Sequence, residues 1–190
     1  MTDRKQRASV DPVDSALTYA IIPAGPGDSG ELARVHVQAW RETYAGILPK
    51  GYLERMSEPL HARRWRTRLM RLDEITLVAE GRDGLVGYAS GQWARTGGEA
   101  GEAEITTLYV LKSAQGEGVG RALLTGVARA MADRGATSLV IWVLCDNTRA
   151  RGFYERLGGA AQERRLEAVA GAAIPALAYR WSDIAALTRR

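Results

Sequence analysis

The stretch Gln115-Gly116-Glu117-Gly118-Val119-Gly120-Arg121 combines residue types and spacing that could do chemistry. Glycines at alternating positions let consecutive backbone N–H groups turn to one side. A helix starting there adds the positive end of its dipole, and together they make a cradle for phosphate oxygens. A diphosphate suits such a loop; a plain flexible connection is the other use of one, so the spacing has to discriminate. A dinucleotide fingerprint needs G-x-G-x-x-G, and a nucleoside-triphosphate loop needs G-x-x-x-x-G-K-[ST]. Here the pattern is Q-x-x-G-x-G with no Lys-Ser or Lys-Thr behind it, and neither fits. Other chemistries lack the residues. Cys145 is the only cysteine and His36 and His61 the only histidines, which argues against a disulfide scaffold and against a metal site.

The loop needs a strand before it and a helix after it, and the pattern supplies both. Residues 104–110 are rich in β-branched types, and residues 119–134 carry apolar positions at helical spacing, closed by Gly135. Residues 138–144 form a nearly continuous apolar run, as expected of a strand covered on both faces. With a helix as the crossover, this strand and the one at 104–110 should run parallel. Upstream, residues 17–22 read as a first strand stopped at a turn (23–27), and residues 28–45 as a helix capped by Asp28. Residues 53–72 read as one further helix with Leu60, Trp65, Leu69 and Leu72 on its apolar side. Residues 75–79 and 85–90 form a hairpin around Asp83-Gly84, followed by a Gly-rich loop at 96–101. Downstream come a short helix (147–157) closed by Gly158-Gly159 and a closing strand pair (160–168 and 174–182). The order is that of an α/β protein with a mixed sheet.

The chain has 190 residues, 46% hydrophobic and 25% charged, enough for one well-buried core. Residues 1–16 lack apolar periodicity and read as a disordered tail, leaving 17–190 as a single domain. No run approaches the roughly 20 apolar residues that span a bilayer, and the first residues are polar where a signal peptide is apolar; a cytoplasmic location is expected. The net charge is +4. Residues 55–71 hold six arginines against one glutamate, a net of +5, so the rest of the chain is close to neutral. A patch of that size suits a small anion, an acidic partner or a solvated helix face (63–71) better than the long phosphate track of a duplex, and no nucleic acid is expected.

With Gln115, Gly118 and Gly120 in the pattern [QR]-x-x-G-x-[GA], the chain resembles the GNAT superfamily of N-acetyltransferases. A second block is similar as well: Trp142-Val143-Leu144 running into Asn147, then Ala150 and Phe153-Tyr154-Glu155-Arg156-Leu157-Gly158. Two blocks in the right order are far more specific than one. The resemblance implies the acyl-CoA N-acyltransferase fold, a mixed, mostly antiparallel central sheet with a parallel splayed strand pair flanked by helices. It also implies acetyl-CoA as co-substrate, with no metal. Pantetheine would enter between the splayed strands and pair with Leu108, Tyr109 and Val110. The N–H groups of Gln115, Gly116, Glu117, Gly118, Val119, Gly120 and Arg121 would hold the diphosphate, with Phe153 beside them. Asn147 would touch the cofactor arm, a role compatible with capping its helix.

Attack by a neutral amine on a thioester needs a proton acceptor, and the departing thiolate benefits from an acid. By resemblance, Tyr154 is the candidate acid and Glu104 the candidate base, acting through water, with Glu102 its rival. Trp40, Tyr44 and Trp93 are candidates to line the acceptor pocket, although aromatic residues at such spacing also build cores. Gly152, and Gly159 where relatives carry an aromatic residue, are departures that loosen packing near the cofactor arm. The expected function is acetyl transfer to a small-molecule or peptide amine, without membrane association. The rival readings are a non-catalytic acyl-CoA-binding or regulatory module on the same fold and, third, a nucleic-acid module. The acceptor is not legible, and a homodimer is left open.

Overall fold

The computed structural model describes residues 18–94 and 100–189. The tail expected at 1–16 lies outside the described residues, as does most of the loop at 96–101. Seven strands make one sheet: β1 (Ala20–Pro23), β2 (Glu74–Gly81), β3 (Gly84–Trp93), β4 (Glu102–Val110), β5 (Ser138–Leu144), β6 (Ala160–Val169) and β7 (Ala172–Trp181). Their order is β1-β2-β3-β4-β5-β7-β6. Every neighbouring pair is antiparallel except β4 and β5, which run parallel as their helical crossover requires.

Helices cover both faces. On one side lie α1 (Ser29–Tyr44) and α3 (Glu58–Arg68), with Leu32, Val35, Ala39 and Trp65 packed on Val78, Leu85 and Tyr88. On the other lies α4 (Val119–Ala132), whose stripe Val119, Leu123, Val127 and Met131 recurs at four-residue intervals and meets Leu77, Ala89, Ile105 and Ile141. The helix α5 (Thr148–Arg156) adds Tyr154 to that layer, and α6 (Ile184–Thr188), which the sequence pattern did not announce, adds Ile184 and Leu187. Among the described residues, no helix is long and apolar enough to cross a membrane.

The single helix expected over 53–72 is two. A short α2 (Lys50–Glu54) stops, and α3 restarts where the Ser57 hydroxyl accepts the Leu60 N–H and Pro59 sits in the first turn. The expected apolar side fails with it: Leu60 and Leu72 are 46% and 92% exposed, and Trp65 is the residue of α3 that is buried. Asp28 stands at the N-cap of α1, but its carboxylate takes the Gly25 N–H at 2.7 Å and tightens the preceding turn instead.

Candidate active site

The parallel pair holds together over four residues only, Glu102–Ile105 against Ser138–Ile141. Beyond Ile105 the two strands part. The register of β4 against β3 slips at the same place: Thr107 faces Ser90 and Ile105 faces Gly91, so Thr106 is an extra residue, a β-bulge. The side chains record it. Ile105 and Leu108, three residues apart, would point to opposite faces of a regular strand, yet both pack in the α4 layer. From Thr106 to Val110 the edge of β4 that faces β5 has no strand partner among the described residues.

The gap opens into a cleft of about 370 Å³ that runs from Thr106–Val110 across Ile141–Val143 to the glycine loop, floored by Ala150, Phe153 and Tyr154. Gly116 and Gly118 take φ of +91° and +81°, left-handed backbone that favours glycine, and Gly118 is the N-cap of α4. The ladder of α4 begins with the Ala122 N–H donating to the Gly118 carbonyl at 3.0 Å, so the N–H groups of Val119, Gly120 and Arg121 stand outside it. Gln115 pins the loop by donating from Nε2 to the Val110 carbonyl at 2.7 Å, while its buried Oε1 has no partner. A Cβ on Gly120 would sit 3.4 Å from Phe153 Cζ, so the small residue lets helix and ring close on each other.

Tyr154 is buried on α5, with Phe153 and Tyr179 rings beside it. Burial, helped by Tyr44, pushes its hydroxyl well above the usual tyrosine range, so it stays protonated. Tyr44 and Tyr109 share a hydrogen bond of 2.9 Å on the opposite wall, and both interact electrostatically with Tyr154. Burial raises each of them too, offset in Tyr44 by its bond to Tyr109. The three phenols thus converge where the strands part. Asn147 caps α5, accepting the Ala150 N–H at 3.2 Å, and also lines the cleft.

Other expected residues lie elsewhere. Glu104 is half-buried on β4 in register with Gln92 and Val140, two residues before Thr106, and does not line the cleft. Glu102 is ion-paired with Arg180 and its side chain is 1% exposed. Glu117 and Val119 also stand off the cleft wall. Trp40 packs among Tyr44, Tyr52 and Tyr109. Trp93 pairs with Ala103, a residue of the α4 layer, so strand alternation puts it on the face opposite α1, 41% exposed. Residues that sequence reasoning missed are Thr43, Thr106, Thr107, Trp142, Arg149 and Arg156, all on the cleft wall. Trp142 and Arg156 stood in the second family-like block without a site role, and Arg149 was a further cation on the same short helix.

The sequence model of the acetyltransferase (GNAT) family matches residues 37–159, well over half of the chain. The N-acetyltransferase YuaI of Bacillus subtilis (strain 168) is 28% identical over 160 residues, covering 84% of this chain and 91% of that protein. A GCN5-related N-acetyltransferase from Rhodopseudomonas palustris has a similar fold at 21% identity, with a TM-score of 0.69 over 89% of this chain and 98% of that one. The PaiA N-acetyltransferase from Thermoplasma acidophilum, solved with coenzyme A, gives 0.67 at 21% identity over 86% and 99%.

Proposed function

The chain belongs to the acetyltransferase (GNAT) family, and from that premise we propose that it transfers the acetyl group of acetyl-CoA to a primary amine by direct attack. The observation that carries this reading is one continuous cleft joining an unpaired strand edge, a glycine-lined helix N-terminus and a buried phenol. The residues present fit such a donor. The N–H groups of Val119 and Gly120, which stand outside the ladder of α4, with Arg121, Arg149 and Arg156 on the wall, suit phosphate oxygens, and the open edge of Thr106–Val110 suits an amide-bearing arm. When bound, acetyl-CoA supplies an acyl group already activated as a thioester.

The chain's own residues then have these tasks. A backbone N–H near Leu108 donates to the carbonyl oxygen and favours the charge that develops there. Glu104, off the cleft wall two residues before the bulge, takes one proton from the amine through a relay of waters, while Glu102 is locked to Arg180. Tyr154 donates to the departing sulfur. Full transfer from a phenol above 10 to a thiolate at about 8.5 runs uphill, so Tyr154 keeps its proton and serves as a hydrogen-bond donor during cleavage, and the proton that Glu104 takes from the nitrogen reaches the thiolate through water. One C–N bond forms, one C–S bond breaks, and one proton passes from nitrogen to sulfur.

The test is release of free CoA thiol with a panel of amines, beside calorimetric titration of acetyl-CoA. Tyr154→Phe is expected to lower kcat by about 100-fold or more with acetyl-CoA affinity unchanged, and Glu104→Gln to flatten the acidic limb of the pH–rate profile. A wild-type protein that binds acetyl-CoA yet acetylates nothing is a binding module; one that ignores acetyl-CoA overturns the reading.

A further inference from the structure

A second cleft, of about 530 Å³, lies on the α3 side of the sheet and is lined by Arg64, Thr67, Arg68, Arg71, Thr106 and Thr107. Thr106 and Thr107 also line the first cleft, so the two meet at the bulge of β4. The basic segment expected to be a solvated face therefore borders the place of reaction. Arg68 is the hinge of this arrangement: it donates to Glu74 Oε1 from Nε and to Thr106 Oγ1 from Nη2, each at 2.6 Å, with its ring-facing side over Trp65. Arg71 pairs with Asp73 at the surface, an exposed pair that can exchange partners. Arg64 has no acidic partner among the described residues. At the junction, the Thr107 hydroxyl is buried without a hydrogen-bond partner among the described residues.

With Arg68 and Arg71 each paired to a carboxylate, Arg64 leaves the cleft wall net positive, and an ammonium ion brought there alone is repelled. An amine tethered to an anion is not, because the attraction of the anion to the arginines outweighs the repulsion of the ammonium. Resting on the reading above, we propose that the acceptor is an amine carrying a carboxylate or phosphate a few bonds away, whose anionic oxygens dock on Arg64 and Arg68 while Thr107 donates to the same ligand. The nitrogen is thereby delivered to the bulge.

The experiment compares kcat/KM for matched acceptors: alanine and β-alanine against their carboxamides, phosphoethanolamine against ethanolamine, and spermidine. The anionic member of a pair is expected to lead by about 10- to 100-fold, and the carboxylate and phosphate arms tell the two sources apart. Arg64→Gln should collapse the preference while acetyl-CoA affinity holds, whereas Arg63→Gln, on the same helix but off the cleft wall, should leave it. A second arm needs no turnover: calorimetric binding of N-acetylalanine against N-acetylalaninamide, and of N-acetyl-β-alanine and N-acetylphosphoethanolamine against their neutral counterparts, to the protein–CoA complex. If no amine is acetylated although CoA binds, the proposed function fails, and this arm alone decides anion recognition. Equal affinity of anionic and neutral members in every pair, a lead for spermidine, or the same response to both substitutions overturns the inference.

Discussion

His36 sits on α1 with its Nδ1 joined to the Tyr88 hydroxyl at 2.6 Å and the His61 and Trp40 rings 4.5 and 5.3 Å away. Burial, then His61, Arg68 and Arg64, lower its pKa to about 3, so it is neutral in the fold. An unfolded imidazole near 6.5 binds a proton that the folded one refuses until about pH 3. The unfolded state therefore holds more protons throughout that window. Stability is full above pH 6.5 and falls as the pH drops, by up to about 1.4 kcal/mol per unit. Urea denaturation at pH 7 and pH 5 should show wild type losing about 2 kcal/mol more than His36→Gln; equal losses would sink this account. Burial shifts Tyr154 in the opposite direction, raising it, and so keeps the phenol protonated.

Among the elements, two glycines outside the 115–121 loop have opposite prospects. Gly152 lies inside α5, where an added Cβ would meet only the end of the Arg156 side chain at 3.4 Å. Gly152→Ala should stabilise by about 0.5–1 kcal/mol, read as a rise in denaturation midpoint. Gly91 lies on β3 beneath α4, where a Cβ would come within 2.4 Å of Val127 Cγ1. Gly91→Ala should destabilise by about 1–3 kcal/mol, and a neutral result would mean that α4 can lift from the sheet. Gly159 belongs with Gly91: Trp181 Cζ2 would lie 2.8 Å from its Cβ, so the indole fills the room beside it. What looks like a loosening departure in the sequence is a packed contact.

At the scale of the whole molecule, the sheet is two halves, β1–β4 and β5–β7, joined by four residue pairs at the start of β4 and β5. A ligand in the gap would supply the missing edge and tie the halves together. Saturating acetyl-CoA, at about 100 times its Kd, should add about 2.7 kcal/mol and raise Tm by several degrees. Hydrogen exchange should slow at Thr106–Val110 and at the start of α4 together. Protection confined to the glycine loop would show that the arm does not enter between the strands.

Local chemistry made much of this legible from the residues alone. The glycines of 116–120 announce a tight turn into a helix because left-handed φ, found at Gly116 and Gly118, is a property of glycine. The period of α4 and the apolar run of β5 follow from the faces they bury. Nothing in Glu104-Ile105-Thr106-Thr107-Leu108 announces the bulge, because a register slip depends on which residues of β3 lie opposite. Trp93 could not be given a face for the same reason. Arg68 read as solvated until folding brought Glu74 and Thr106, six and 38 residues away, against its guanidinium. Short-range conformational preference belongs to the sequence; which side chains share a face, a pair or a cleft is decided when distant segments pack, because those contacts exist only after the chain has closed on itself.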